Sequence, residues 1–311
     1  MIQYLKKDQI SREKWDECVF NAFNSMVYAE SWYLDIVAYG WEALVEDDYS
    51  AVMPLVWNKK AGISYLYQPY FTQQLGVFSS GLLTPDRIIR FLEAIPRHFR
   101  YGEINFNSHN PLNNLALEGY ASQLNHELDL INPYNHLYKN FSDNNKRNLK
   151  KAQNNDLSIQ KGISPELITN LFKEGKGLRL NHITPFHYKR LNHLMHKALS
   201  LSKGVTYGVY SPLNELMAGA FLLISNDRVI FLFSGTSDKA KNSGALAYLI
   251  DHVIRMFAGT AITFDFEGSN DPNLARFYRG FGSSEVVYPR VTFNRLPKVV
   301  WSMVQIIKKL R

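Results

Sequence analysis

The apolar positions of this chain change period several times, and each change marks an element. Ser11 can cap a helix in which Trp15, Val19 and Phe23 recur at i, i+4 and i+8, so 11–23 reads as amphipathic helix and 29–39 as a second. The runs "WEALVED", "YSAVMPLVW" and "ISYLYQP" read as strands separated by short turns. "TPDRIIRFLEAIPRHFR" reads as a helix with Thr84 as N-cap and Pro85 in its first turn, interrupted near Pro96. "YGEINFN" and "ASQLNHELDLI" are strands that close a first half.

A second half begins near Asn132–Pro133. "LYKNFSDNNKRNLKKAQNN" reads as largely helical, "LSIQKGI" as a strand, and 164–177 and 185–202 as helices. Strands at 205–211, 215–225 and 228–236 follow; in the first, Val205, Tyr207 and Val209 alternate with the opposite face. A helix over 243–258 leads to the strand "AITFDFE", then come a helix over 271–281, a strand over 284–294 and a basic helix over 298–311. Three successive strands predict an antiparallel meander, and the strand–helix–strand crossover after it predicts parallel neighbours. The first half shows a shorter version of the same order. The pattern therefore predicts an α/β (α+β) chain of two related domains, 1–132 and 133–311, each with a mixed, mostly antiparallel sheet flanked by helices.

Composition narrows this further. The chain has 311 residues, 46% of them hydrophobic and 14% aromatic, enough to bury two cores. The single cysteine, Cys18, excludes an internal disulfide and a multi-cysteine zinc site, and its place on an amphipathic helix makes it a core residue. No metal site is expected. The four histidines 182, 187, 193 and 196 are close in sequence; His193 and His196, at i and i+3, are too loosely spaced for a metal site without carboxylate partners, and a surface or substrate-contact role is expected. No apolar run reaches 18 residues and "MIQYLKKDQI" has no signal-peptide core, so the expectation is a cytoplasmic protein. Charge is uneven: residues 1–132 carry 10 Lys and Arg against 16 Asp and Glu, whereas 133–311 carry 25 against 12. A basic half either meets a polyanion or is a solvated surface.

The candidate chemistry centres on "DFEGSNDPNLARFYRGFGS", 265–283. With Ile262, Phe264 and Phe266 on one face of a strand, Asp265 and Glu267 share the other at its C-terminal end, where ligands of open α/β sheets bind. The pair could hold an amine, or one acid could act as base with its pKa raised by the other. Asp271 or Asn270 can cap the next helix. Leu274, Phe277, Tyr278 and Phe281 form its apolar stripe, with Arg276 and Arg279 on another side. The alternative is structural: the acids pair with those arginines and Tyr278 is core. Other candidates are Lys146, Arg147, Lys150 and Lys151, grouped on one side of the helix around 144–151, and Tyr70, Gln73 and Gln74 in "YQPYFTQQLG". The first set suits a phosphate backbone or pyrophosphate, or is a solvated face. The second suits peptide or sugar, or satisfies strand edges.

The stretch ending in Tyr278 and Gly282 resembles the N-x-x-A-x-x-x-Y-x-x-x-G pattern of GNAT acyltransferases, with Asp271 and Leu274 standing at the first two positions. "RVIFLFSGT" and "AITFDFE" would supply that fold's splayed strand pair. The whole chain resembles the Fem-type branch of the superfamily. Three blocks carry the likeness: "PLVW…YLYQPYFTQQLGVF", "SDNNKRNLKKAQNNDLSI" and "DFEGS…ARFYRGFG". That resemblance implies two tandem GNAT-like domains and transfer of an amino acid from aminoacyl-tRNA to a peptidoglycan precursor. It also implies Tyr278 as the group that protonates the departing thiolate; Asp265 or Glu267 could orient the amine or take its proton.

The loop that holds acyl-CoA pyrophosphate in GNAT proteins corresponds to "SDKAKNSGALAY", with Lys239, Lys241, Ser243 and Gly244 but without the pattern's second glycine. The expected function is N-acyl or aminoacyl transfer to an amine of a cell-wall or polysaccharide precursor, with aminoacyl-tRNA or acyl-CoA as donor. The alternatives are a CoA-dependent enzyme acting on an amino-sugar or polysaccharide precursor, and a catalytically inert anion-binding module. tRNA is a candidate partner and DNA is not. The helix "KVVWSMVQIIKKLR" can touch a membrane at its inner face or dock on its own domain.

Overall fold

A computed structural model of the chain describes residues 1–112, 118–180, 183–268, 270–298 and 300–302. The chain forms two compact units, one from residues 1–123 with the described residues from Val287 on, the other from 124–286.

The first unit contains β1 (Ile2–Leu5), α1 (Arg12–Asn21), α2 (Ser31–Val37), β2 (Gly40–Glu46), β3 (Ala51–Lys60), β4 (Ile63–Leu66), β5 (Phe78–Ser79), α3 (Pro85–Glu93) and β6 (Phe99–Asn105). Ser11 and Thr84 cap α1 and α3 as their sequences predict. β1 and β5 are too short to show a period. The second unit contains most of β7 (Tyr120–Asp129), then α4 (Tyr134–Lys139), α5 (Asp143–Asn154), β8 (Ser158–Lys161), α6 (Pro165–Glu174), α7 (Pro185–Ser200), β9 (Gly204–Tyr210), β10 (Leu216–Ser225), β11 (Arg228–Thr236), α8 (Ala245–Phe257), β12 (Thr263–Asp265) and α9 (Pro272–Arg279). The last strand, β13 (Ser284–Asn294), begins there.

The strands of the two units follow the same plan. In the first, the antiparallel strands β1, β2, β3 and β4 lie in order, β6 joins β4 in parallel, and β13 pairs antiparallel with β6, Arg290 opposite Asn105. In the second, β8, β9, β10 and β11 form the antiparallel run, β12 joins β11 in parallel, and β7 pairs antiparallel with β12, Asp265 opposite Glu127. The meander and the parallel crossover are those expected, as is the α/β class with two units of mixed, mostly antiparallel strands flanked by helices.

The expected boundary at 132/133 needs correction. Each unit takes its sixth strand from the other half of the chain, so the units divide at 123/124 and 286/287. Local pattern identified β7 and β13 as strands but not which ladder receives them. The helix expected from Leu137 is also broken. Ser142 donates its N–H to the Gly280 carbonyl at 2.8 Å and its hydroxyl caps α5 by accepting from Asn145 N–H.

In the second unit Leu149 and Ala152 of α5 and Leu249 and Val253 of α8 join Val209, Leu222, Phe231 and Phe264 in one core. On the other face Gly235 lets β11 approach α6, because a Cβ there would stand 2.5 Å from the Ile168 carbonyl oxygen. The first unit's core gathers Leu44, Met53, Leu55, Ile88, Phe91, Phe99 and Phe106. Cys18 is buried, and burial pushes its thiol up to about 11 against a smaller opposing pull from Arg87, as suits a core residue. Among the described residues no helix is long and apolar enough to cross a membrane. The basic helix expected at 298–311 lies largely outside the described residues, as does His182.

Candidate active site

The site develops where β11 and β12 part. Their parallel ladder runs from Arg228 opposite Thr263 to Ile230 opposite Asp265. There β12 ends, while β11 continues to Thr236. β11 also bulges at this point: Leu223 of β10 faces Ile230, but Phe221 faces Phe233, one residue more on β11. These are the two strands that the resemblance to GNAT acyltransferases implies as a splayed pair, and their ladder ends at Asp265.

Asp265 is fully buried and sits at the centre of a polar network. Its Oδ1 accepts from the Asn125 side-chain amide at 3.0 Å and from the Glu267 backbone N–H at 2.8 Å, and its Oδ2 accepts from Arg228 at 3.2 Å. Arg228 also reaches Glu127 at 2.9 Å. Burial pushes the Asp265 carboxyl up to about 6, with Glu127 adding to the rise and Arg228 opposing it. Arg228 is held above its ordinary value: burial opposes its charge, and Glu127 and Asp265 outweigh burial.

The expected shared face of Asp265 and Glu267 is not formed. The strand stops at Asp265, and Glu267 takes a left-handed backbone, φ 55°, followed by Gly268 at φ 39°. The buried carboxylate causes this by holding the Glu267 N–H, and the turn departs from strand alternation. Gly268 is required there, since a Cβ would stand 2.4 Å from the Asn125 Cα. The alternative pairing of the two acids with the α9 arginines is not found for Asp265, whose cation is Arg228, and Arg279 binds Glu285 at 3.0 Å.

Asp271 caps α9, accepting from the N–H groups of Asn273 and Leu274. The helix buries Tyr278 against Phe266, ring centroids 4.8 Å apart. Burial first, and the Glu267 charge second, raise the Tyr278 phenol far above its ordinary value, so it keeps its proton.

His126 of β7, which the sequence reading did not single out, is fully buried with its ring 6.2 Å from that of Tyr278. Neither ring nitrogen has a hydrogen-bond partner. Burial lowers its pKa, Arg279 lowers it further and Glu285 opposes, so the ring is neutral. One histidine in an alternating strand carries no local signal of such a place. Asn125, Glu127 and Arg228 were equally unmarked.

The other candidates disperse. Arg276 and Arg279 line a 650 Å³ groove with Asn144, Asn145 and Phe277. Arg147 and Lys150, with Lys146, line a separate 810 Å³ groove between α5 and α8; Lys151 is exposed but is not part of its lining. In the first unit Tyr70 is exposed. Gln74 is fully buried, donating to the Gln73 side-chain carbonyl at 2.7 Å and accepting from Ser108 N–H at 2.9 Å. Gln74 therefore fastens its loop to the turn at Ser108 rather than satisfying a strand edge. Among the histidines, His187 closes a capping box with Thr184 and His196 meets Glu166 at 2.7 Å.

The loop corresponding to the CoA-binding turn is occupied by its own contacts. The Ser243 hydroxyl donates to the Ala240 carbonyl at 2.9 Å and accepts from Ala245 N–H at 3.2 Å. Lys239 pairs with Glu215 at 2.6 Å. The Lys241 side chain lies outside the described residues. Gly244, φ 78°, lies so close to α5 that a Cβ would stand 2.0 Å from the Asn148 carbonyl oxygen. Gly244→Ala is expected to lose about 2–4 kcal/mol, from left-handed strain and overpacking together. Denaturant unfolding measures it, and an unchanged midpoint would contradict the close packing of α5 on α8.

The chain has the fold of FemX and of two further solved structures. FemX superposes with a TM-score of 0.66 at 12% identity, over 97% of this chain and 99% of FemX. A conserved protein of unknown function from Bacteroides thetaiotaomicron gives 0.63 at 10% identity, over 94% and 99% of the two chains. The C-terminal domain of an Agrobacterium fabrum protein assigned as a lysylphosphatidylglycerol synthetase gives 0.56 at 12% identity, over 95% and 94%. No family model matches the chain, and no curated protein matches it.

Proposed function

We propose that the protein is an N-acyltransferase that moves an aminoacyl or acyl group onto an amine of a cell-wall or polysaccharide precursor. The observation that supports this reading is the end of the β11–β12 ladder at Asp265, whose carboxylate holds the Glu267 turn, with the Glu267 charge acting on a protonated Tyr278. Glu267 orients the attacking amine or takes its proton. Tyr278 gives its proton to the departing oxygen or sulfur. Holding donor and acceptor in attack geometry supplies much of the remaining rate. Asp265 touches neither partner in this scheme; it positions the turn that carries Glu267.

The structure of the 237–244 loop favours an aminoacyl ester such as aminoacyl-tRNA over acyl-CoA. The hydroxyl and the glycine that would meet a pyrophosphate are engaged with the protein itself. The test offers acetyl-CoA, aminoacyl-tRNA and nucleotide-linked muropeptide, reading thermal stabilisation and amide formation. Aminoacyl-tRNA with muropeptide should give product. Turnover with acetyl-CoA instead would replace the donor, and binding without turnover of any pair would leave an inert anion-binding module.

A further inference from the structure

The groove between α5 and α8 has no role in that chemistry, yet it is built. Four cations face it, Lys146, Arg147 and Lys150 from α5 and Arg255 from α8, against two carboxylates, Asp143 and Asp251. Asp251 is nearly fully buried and already engaged: it accepts from the Tyr134 hydroxyl at 2.6 Å and from Arg255 Nε at 2.7 Å. The Arg255 guanidinium also lies 3.8 Å from the Tyr134 ring centroid. Arg255 is therefore fixed in place with its terminal nitrogens left over, which reduces the ordering cost of binding an anion. Lys146 is tethered too, donating to the Lys139 carbonyl at 3.1 Å and lying over the Tyr138 ring. Arg147 and Lys150 stand exposed on the same face.

The aromatic walls are Tyr138 and Tyr248. His252 also lines the groove; burial lowers its pKa and keeps it neutral, so it can donate or accept a hydrogen bond without adding charge. Cations in excess by two match a phosphate monoester, which carries about −1.5 to −2 near neutral pH. The 810 Å³ volume is that of a small-molecule site, and the two tyrosines suit a sugar or a planar base attached to the phosphate.

We propose that this groove binds the phosphate of a small phosphomonoester, a nucleotide or a sugar phosphate, with Arg147, Lys150 and Arg255 holding the phosphoryl oxygens. The proposal does not depend on acyl transfer, and its test needs no turnover. Adenosine 5′-monophosphate, glucose 1-phosphate, inorganic phosphate and adenosine are titrated calorimetrically into the full chain and into Arg147→Ala/Lys150→Ala. At least one ester should bind, more tightly than inorganic phosphate, while adenosine does not. The double variant should lose at least tenfold in affinity at an unchanged Tm, since both side chains are exposed. Tyr278→Phe should bind as the parent does, which separates this site from the proposed transfer chemistry. Equal affinity in the double variant would overturn the proposal, as would failure of both esters to bind or inorganic phosphate binding as tightly as the esters. Binding confined to a short single-stranded RNA or to phosphatidylglycerol vesicles would replace the small ester with a macromolecular or membrane partner.

Discussion

Asp265→Ala is expected to destabilise the protein by about 3–5 kcal/mol, the usual consequence of removing one partner of a buried ion pair. The loss has identifiable parts. Arg228 keeps Glu127 but loses its second carboxylate, and the Asn125 amide and Glu267 N–H lose the oxygen they share. Asp265→Asn should cost less than half as much, because its side-chain carbonyl can still accept from Asn125 and Glu267.

The same residue sets a pH dependence. Its folded-state pKa, about 6, lies above the ordinary 3.8, so the folded protein holds this proton more tightly than the unfolded chain. The stability it contributes is fully present below about pH 4, is lost as pH rises to about 6, and is constant above that. The change is on the order of 2–3 kcal/mol, because the group is fully buried. Denaturant unfolding of the parent and of Asp265→Asn at several pH values measures it. The stability difference between them should shift in favour of the variant between pH 4 and 6. A difference that stays constant across that range would mean that Asp265 is not desolvated as the network requires.

Tyr278→Phe is expected to lower the rate of acyl transfer by about 10²–10⁴-fold, the range for loss of a positioned general acid. The ring still packs on Phe266, so the Tm should move little. The fall should lie in kcat more than in KM, because the proton is given up only as the leaving atom departs. Leaving-group dependence makes the reading sharper: a donor with a more acidic leaving group needs the phenol less and should lose less. Glu267→Gln keeps the backbone N–H that Asp265 holds and removes only the charge. It should slow transfer to amines and move the pH–rate profile. Full activity in both variants would remove the proposed chemistry while leaving the fold intact.

Much of this protein is legible in its sequence. Helix caps at Ser11, Thr84 and Asp271 were readable because capping is a local hydrogen bond between a side chain and the next turn. The strands at 204–210, 216–225 and 228–236 were readable because alternation and turn residues act within a few positions. The basic character of α5 and the place of Tyr278 on α9 follow from helical spacing alone. The three blocks that resemble Fem-type proteins agree with the fold that the FemX superposition shows.

The tertiary structure decided what depends on distant residues. Nothing local tells β7 that it completes the strands of the second unit or β13 that it completes those of the first; ladder pairing is settled by which edge offers a matching register. Alternation placed Asp265 and Glu267 together, but a carboxylate buried with Arg228 and Asn125 pulled the next N–H toward itself and ended the strand. His126 gained its place beside Tyr278 in the same way, through contact between residues more than a hundred positions apart. The sequence by itself determined the elements and their chemical inventory, because propensity, capping and periodicity are short-range. Only the folded chain decided which charges are buried and which side chains meet, because desolvation and pairing depend on the whole environment of a group.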